Sequence, residues 1–93
     1  MDKIAFLDRD GIINYDKGYI FKKEDFLFRK GIFKLCKQLQ FYNYKIIVIT
    51  NQSGIARGLY TELQFKKLND WMLNEFTKRS VLIDKVFFCP YHP

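Results

Sequence analysis

Three short apolar runs and two longer stretches of helical periodicity organise the chain. Residues 3–8, Lys-Ile-Ala-Phe-Leu-Asp, are apolar and close on a carboxylate, the pattern of a buried strand that delivers one polar group at its C-terminal edge. From Lys30 to Tyr42 the residues Ile32, Leu35, Cys36 and Leu39 fall at i, i+3, i+4 and i+7, while Lys30, Lys34 and Lys37 share another face; this predicts an amphipathic helix. Residues 45–50, Lys-Ile-Ile-Val-Ile-Thr, form a second β-branched run and a second buried strand. Thr61-Glu62-Leu63-Gln64 matches a Thr-x-x-Gln capping box, after which Phe65, Leu68, Trp71 or Met72, and Phe76 recur at helical spacing to about Arg79. Residues 82–89 read as a third strand that Pro90 ends. The order βαβαβ implies a parallel, right-handed, doubly wound α/β sheet, in which functional groups gather at the carboxyl ends of the strands.

Composition narrows the picture. Ninety-three residues, 48% of them hydrophobic, make one folded domain over 1–93 and leave no room for a separate cap domain. The longest aliphatic run, Ile46 to Val48 and Ile49, is too short to cross a bilayer. The start Met1-Asp2-Lys3 leads straight into the first strand, and Cys36 and Cys89 stand far apart. A cytoplasmic, reducing location is therefore expected. The +6 charge is spread as ten basic and six acidic groups over residues 1–50 and six and four over 51–93. It would suit a phosphorylated partner but is more simply a solvated surface.

The chemistry sits at two strand ends. Asp8-Arg9-Asp10-Gly11 sets two carboxylates two residues apart just past a strand. Their repulsion, about 4 kcal/mol at 4 Å in an effective dielectric of 20, asks for a cation such as Mg²⁺. On spacing alone a solvated turn accounts for the pair equally well. Thr50-Asn51-Gln52-Ser53-Gly54 follows the second strand with hydroxyls, amides and a glycine, a set suited to phosphoryl oxygens. The two together define a crevice with a nucleophile, a metal site and a phosphate clamp.

Phe6-Leu7-Asp8-Arg9-Asp10-Gly11 resembles motif I of the haloacid dehalogenase superfamily, and the run ending in Thr50 resembles its motif II. Within it, Asp8 to Asn14, Gly18-Tyr19, the string Thr50 to Gly58 and Cys89-Pro90-x-His92-Pro93 are similar to the heptose 1,7-bisphosphate 7-phosphatase family, with histidinol-phosphate phosphatases as the nearest alternative. The resemblance implies a Rossmann-like core without a large cap. It also implies a cytoplasmic, monomeric, Mg²⁺-dependent sugar-phosphate phosphatase serving lipopolysaccharide biosynthesis, with neither membrane nor nucleic acid as partner. Asp8 would be the nucleophile and Asp10 the general acid and base, with Mg²⁺ on the Asp8 carboxylate and the Asp10 carbonyl. Thr50 and Asn51 would hold phosphoryl oxygens. Asp16, Lys17, Gly18, Tyr19, Gln52, Ser53 and Arg57 match substrate-facing segments, and residues 14–28 would form a flap, with Phe21, Phe26 and Phe28 as its anchors.

Two departures from the family pattern follow. Its members continue to a motif III lysine and motif IV acidic residues, so this chain alone is expected to act as the N-terminal portion of a phosphatase domain, with little or no turnover. A non-catalytic α/β module is the competing reading. Family members also hold a structural Zn²⁺; here Tyr91 stands where their histidine does, and Cys89 with His92 offers two ligands at Cys-x-x-His spacing, short of the four that such a site needs.

Overall fold

The computed structural model describes residues 3–91. Besides a single 3₁₀ turn at Lys23–Asp25, five elements run in the expected order: β1 (Lys3–Asp8), α1 (Ile32–Phe41), β2 (Tyr44–Asn51), α2 (Glu62–Lys78) and β3 (Lys85–Cys89). The strands form one parallel sheet in the order β1-β2-β3, with Leu7 opposite Val48 and Val48 opposite Val86. β1 has the predicted bounds. β3 begins at Lys85, not at Leu82, because Asp84 ends the ladder: its backbone N–H donates to the Ile46 carbonyl at 2.8 Å, and its carboxylate accepts from the Ile46 N–H at 2.8 Å.

The capping box of α2 is present. Thr61 Oγ1 accepts from the Gln64 N–H at 3.1 Å, and Gln64 Oε1 accepts from the Thr61 N–H at 2.8 Å. The helix buries Phe65, Leu68, Met72 and Phe76; Trp71 lies beside Phe26 with ring centroids 5.5 Å apart. Helix α1 starts after Gly31, which adopts φ 86°, a left-handed turn suited to glycine. Its buried face is rotated from the predicted stripe. Ile32 and Cys36 are buried but Leu35 is 41% exposed, and Phe33 packs inward instead, 4.8 Å from Phe28 and 5.1 Å from Phe76. The aromatic cluster offers Phe33 more apolar area than Leu35 could find there.

Both helices lie on the same face of the sheet. Ile46 and Val48 of β2, Ile32 and Cys36 of α1, and Leu68, Met72 and Phe76 of α2 form one core, with Leu7 and Val86 against it. A sheet that grows in one direction, with crossovers of one hand, returns every helix to one side. The expected doubly wound arrangement is thus half present among the described residues. The other face carries Ile4, Phe6, Ile49 and Phe87, which are 43%, 59%, 38% and 49% exposed. No described helix is long and apolar enough to cross a membrane.

Candidate active site

The carboxyl ends of β1 and β2 open into a cleft of about 370 Å³ lined by Asp8, Arg9, Asp10, Asp16, Gly18, Tyr19, Ile20, Ile49, Thr50, Asn51, Gln52, Ser53 and Tyr60. Nine of the predicted site residues therefore meet in one place. Lys17 and Arg57 are exposed and do not line it.

Past Asp8 the chain turns tightly. The Arg9 carbonyl accepts from the N–H groups of Ile12, Ile13 and Asn14 at 3.3, 2.8 and 3.2 Å, and Gly11 takes φ 100°, a geometry that a Cβ would strain. This turn leaves Asp8 and Asp10 in different surroundings. The Asp8 carboxylate is exposed and has no hydrogen-bond or ion-pair partner among the described residues. Asp10 is held on three sides. Its Oδ1 accepts from Arg9 Nη2 at 2.9 Å, Arg9 Nε at 3.3 Å and Asn14 Nδ2 at 3.0 Å, and its Oδ2 faces Thr50 Oγ1 at 3.4 Å.

Arg9 and Asn14 are both buried. Neither stands out in the sequence, since an arginine between two aspartates looks like a surface charge. Arg9 Nη2 also donates to the Ile20 carbonyl at 3.1 Å, and the guanidinium lies 5.6 Å over the Phe26 ring. A buried arginine needs such partners to offset desolvation. Ile20, Phe26 and Ile13 belong to the core, and Asn14 pairs with Phe28 across the neck of the loop. Segment 14–28, which lends Asp16, Gly18, Tyr19 and Ile20 to the cleft wall, is therefore tied into the fold at its neck. Phe26 and Phe28 anchor it against the core, and Phe21 anchors it by stacking on Tyr60 at 5.1 Å.

The second half of the cleft is ordered by a chain of hydrogen bonds that fixes each donor. Tyr60 donates its hydroxyl to Gln52 Oε1, Gln52 Nε2 donates to Thr50 Oγ1 at 2.7 Å, and the Thr50 hydroxyl is left to donate to Asp10. Burial pushes the Tyr60 phenol above its ordinary range, Asp10 and Tyr19 adding to the effect and Arg9 opposing it. Tyr60 therefore keeps its proton at neutral pH. It also passes close to the Gly54 backbone, where a side chain would overlap the ring. Nothing local in the sequence marks Tyr60, eight residues past Gln52, as its partner. The Gln52 N–H donates to the Cys89 carbonyl at 2.8 Å, so the end of β3 holds the same loop.

Two oxygen donors suit a hard divalent ion here. Mg²⁺ keeps several waters and takes one or two carboxylates with a substrate phosphate; the unpartnered Asp8 carboxylate beside Asp10 fits that donor set. Among the described residues no group of three or more His, Cys, Asp and Glu side chains is placed to hold a metal. The expected zinc pair falls on His92, which lies outside the described residues.

Comparison with known proteins accords with this geometry. No family model matches the chain. It is 55% identical over 89 residues to the D-glycero-alpha-D-manno-heptose-1,7-bisphosphate 7-phosphatase of Campylobacter jejuni, covering 96% of this chain and 52% of that protein. It is 48% identical over 93 residues to the D-glycero-beta-D-manno-heptose-1,7-bisphosphate 7-phosphatase of Helicobacter pylori, covering 99% and 54%. Among solved structures, a D,D-heptose 1.7-bisphosphate phosphatase from B. bronchiseptica complexed with magnesium and phosphate superposes with a TM-score of 0.88 at 29% identity, over 98% of this chain and 51% of that one. The chain spans about half the length of the curated relatives it matches.

Proposed function

We propose that this chain, a homologue of the heptose 1,7-bisphosphate 7-phosphatases over about half their length, carries the nucleophilic part of a Mg²⁺-dependent phosphatase that removes the 7-phosphate of a heptose 1,7-bisphosphate. The observation that supports it most is the convergence of Asp8 and Asp10 from β1 with Thr50 to Ser53 from β2 in one cleft.

Asp8 is the nucleophile in this reading. Its free, exposed carboxylate attacks phosphorus in line with the bond to the sugar oxygen, that bond breaks, and an aspartyl-phosphate forms. Asp10 protonates the departing oxygen, then takes a proton from the water that hydrolyses the acyl phosphate and returns Asp8. Arg9 and Asn14, both bound to Oδ1, hold Asp10 in one rotamer and leave Oδ2 turned to the cleft. Thr50, oriented through Gln52 and Tyr60, and Asn51 and Ser53 offer donors to phosphoryl oxygens. The Asp8 carboxylate and the Asp10 carbonyl would hold Mg²⁺, which when bound would supply the positive charge that lets a carboxylate approach a phosphate dianion. Asp16 and the Gly18-Tyr19 turn, where the Gly18 N–H donates to Asp16 Oδ1 at 2.9 Å, form the sugar-facing wall. Arg57, exposed beyond the cleft, is the cation left for the second phosphate of an extended substrate. The domain is proposed to be the N-terminal portion of the phosphatase unit, working as a monomer in the cytoplasm.

The test is phosphate release from heptose 1,7-bisphosphate and from histidinol phosphate with Mg²⁺, for this chain and for this chain joined to the rest of the Campylobacter jejuni relative. The joined protein should prefer the heptose bisphosphate and lose release on Asp8→Asn. Preference for histidinol phosphate, or release that survives Asp8→Asn, would refute the reading.

A further inference from the structure

Helix α1 carries cations without carboxylates. On α2 and its cap, Lys66, Lys78 and Arg79 find Glu62 or Glu75 within about one turn, at 3.4, 3.0 and 3.5 Å, the usual arrangement on a solvated helix face. Around α1 the sequence offers no such partner, since no Asp or Glu stands between Asp25 and Glu62. Lys34 and Lys37 are exposed and have no hydrogen bond or ion pair among the described residues. At the end of the same helix Phe41 and Tyr42 are 78% and 61% exposed, their rings edge to face with centroids 5.2 Å apart.

These groups meet in one groove. It has a volume of about 580 Å³; its lining includes Phe33, Phe41, Tyr42, Lys34, Lys37 and Arg79, and no carboxylate. Arg79 is fixed in place, Nη1 donating to the Glu75 carbonyl at 2.9 Å and the guanidinium lying 4.2 Å over the Phe33 ring, a cation–π contact. The Glu75 carboxylate is shared between Arg79 and Lys78, so cations stay in excess. A concave, largely apolar surface of this size with a few converging charges has the form of a small-molecule site. Lys34 and Lys37 stand about 5 Å apart along the helix axis, space for one anionic group but too short a track for the backbone of a polyanion. We propose that the groove binds a small aromatic anion, with its rings against Phe33, Phe41 and Tyr42 and its negative group at Lys34 and Lys37. This site is separate from the cleft. The Tyr42 carbonyl accepts from Lys3 Nζ at 3.3 Å, which sets the groove by the amino ends of β1 and β2, and the eight residues of β2 keep it roughly 25 Å from the carboxyl ends. A molecule in the groove leaves the cleft free, and its binding does not depend on phosphatase chemistry.

The probe is 8-anilinonaphthalene-1-sulfonate, whose rings and single negative charge match the groove, set against N-phenyl-1-naphthylamine, the same rings without the sulfonate. Fluorescence titration of this chain should show the sulfonate binding about tenfold more tightly than the amine. Lys34→Gln with Lys37→Gln should bring the two probes to within about twofold of each other, while Lys34→Arg with Lys37→Arg keeps the difference. Phe41→Ala should weaken both probes, because it removes a ring that both contact. All three positions are exposed, and the far-UV circular dichroism of each variant should stay that of the parent. In the ¹⁵N-labelled chain the amide shifts caused by the sulfonate should centre on residues 33–42 and Arg79. Equal affinity for the two probes, sulfonate binding indifferent to the glutamine substitutions, or shifts centred on the Asp8 cleft or on β1 and β3 would overturn the proposal. So would a short single-stranded DNA that binds here more tightly than the sulfonate, which would make this a surface for nucleic acid.

Discussion

Gly54→Ala should be far more damaging than its chemistry suggests. Gly54 is no left-handed glycine; its constraint is space. A Cβ there would overlap Tyr60 Cε1 and stand 2.9 Å from Tyr60 Cζ and 3.0 Å from Tyr19 Cδ1. Tyr60 has little freedom to retreat, being buried, stacked on Phe21 and bonded to Gln52. Overpacking of this kind costs about 1–3 kcal/mol, and displacing the ring leaves Gln52 Oε1 buried without its donor, about 1–3 kcal/mol more. The two are partly alternatives, so the net loss is about 2–4 kcal/mol, which for a domain of this size lowers Tm by roughly 10–20 °C. Urea unfolding followed by circular dichroism measures it. The same substitution made in a Tyr60→Ala background should cost less than about 0.5 kcal/mol, since only the exposed Tyr19 ring, free to shift outward, is left in the way. A loss below about 0.5 kcal/mol in the parent, or equal losses in both backgrounds, would refute the contact.

Asp8→Asn should abolish Mg²⁺ binding seen by calorimetry while leaving Tm within about 1 °C, because an exposed group without partners contributes little to folding. Tyr60→Phe should lower stability by about 1–3 kcal/mol in urea unfolding, by leaving Gln52 without its donor. Thr61→Ala, which removes the α2 cap, should cost about 0.5–2 kcal/mol in the same assay. Burial raises the Cys36 thiol from 9.0 to about 11; below pH 9 it is protonated in both states, and as pH rises from 9 toward 11 only the unfolded thiol ionises, so stability falls over that window. The slope should be shallower in Cys36→Ala, and in the native protein Ellman's reagent should titrate exposed Cys89 quickly and buried Cys36 only on unfolding.

Much of the fold could be read from local pattern. The first strand, both helices and the α2 capping box follow from apolar spacing and one Thr-x-x-Gln signature, because those features act within a few residues. The rotation of α1 was not legible: Leu35 and Phe33 are both apolar, and only the neighbouring Phe28 and Phe76 decide which turns inward. The site shows the same division. Asp8, Asp10 and Thr50 to Ser53 stand out because strand ends are where chemistry collects, while Arg9, Asn14 and Tyr60 act through contacts that only the folded chain creates. That Arg57 and Lys17 stand outside the cleft is equally invisible in the sequence, where both lie close to residues that line it.

The 14–28 segment is fastened to the site at two points, through Arg9 Nη2 on the Ile20 carbonyl and through Phe21 on Tyr60. Lifting it would release Arg9, a holder of Asp10, and would loosen the tyrosine that sets Thr50. Displacing the segment and disordering both walls of the cleft are thus a single event, so the cleft and the loop beside it stand or fall together.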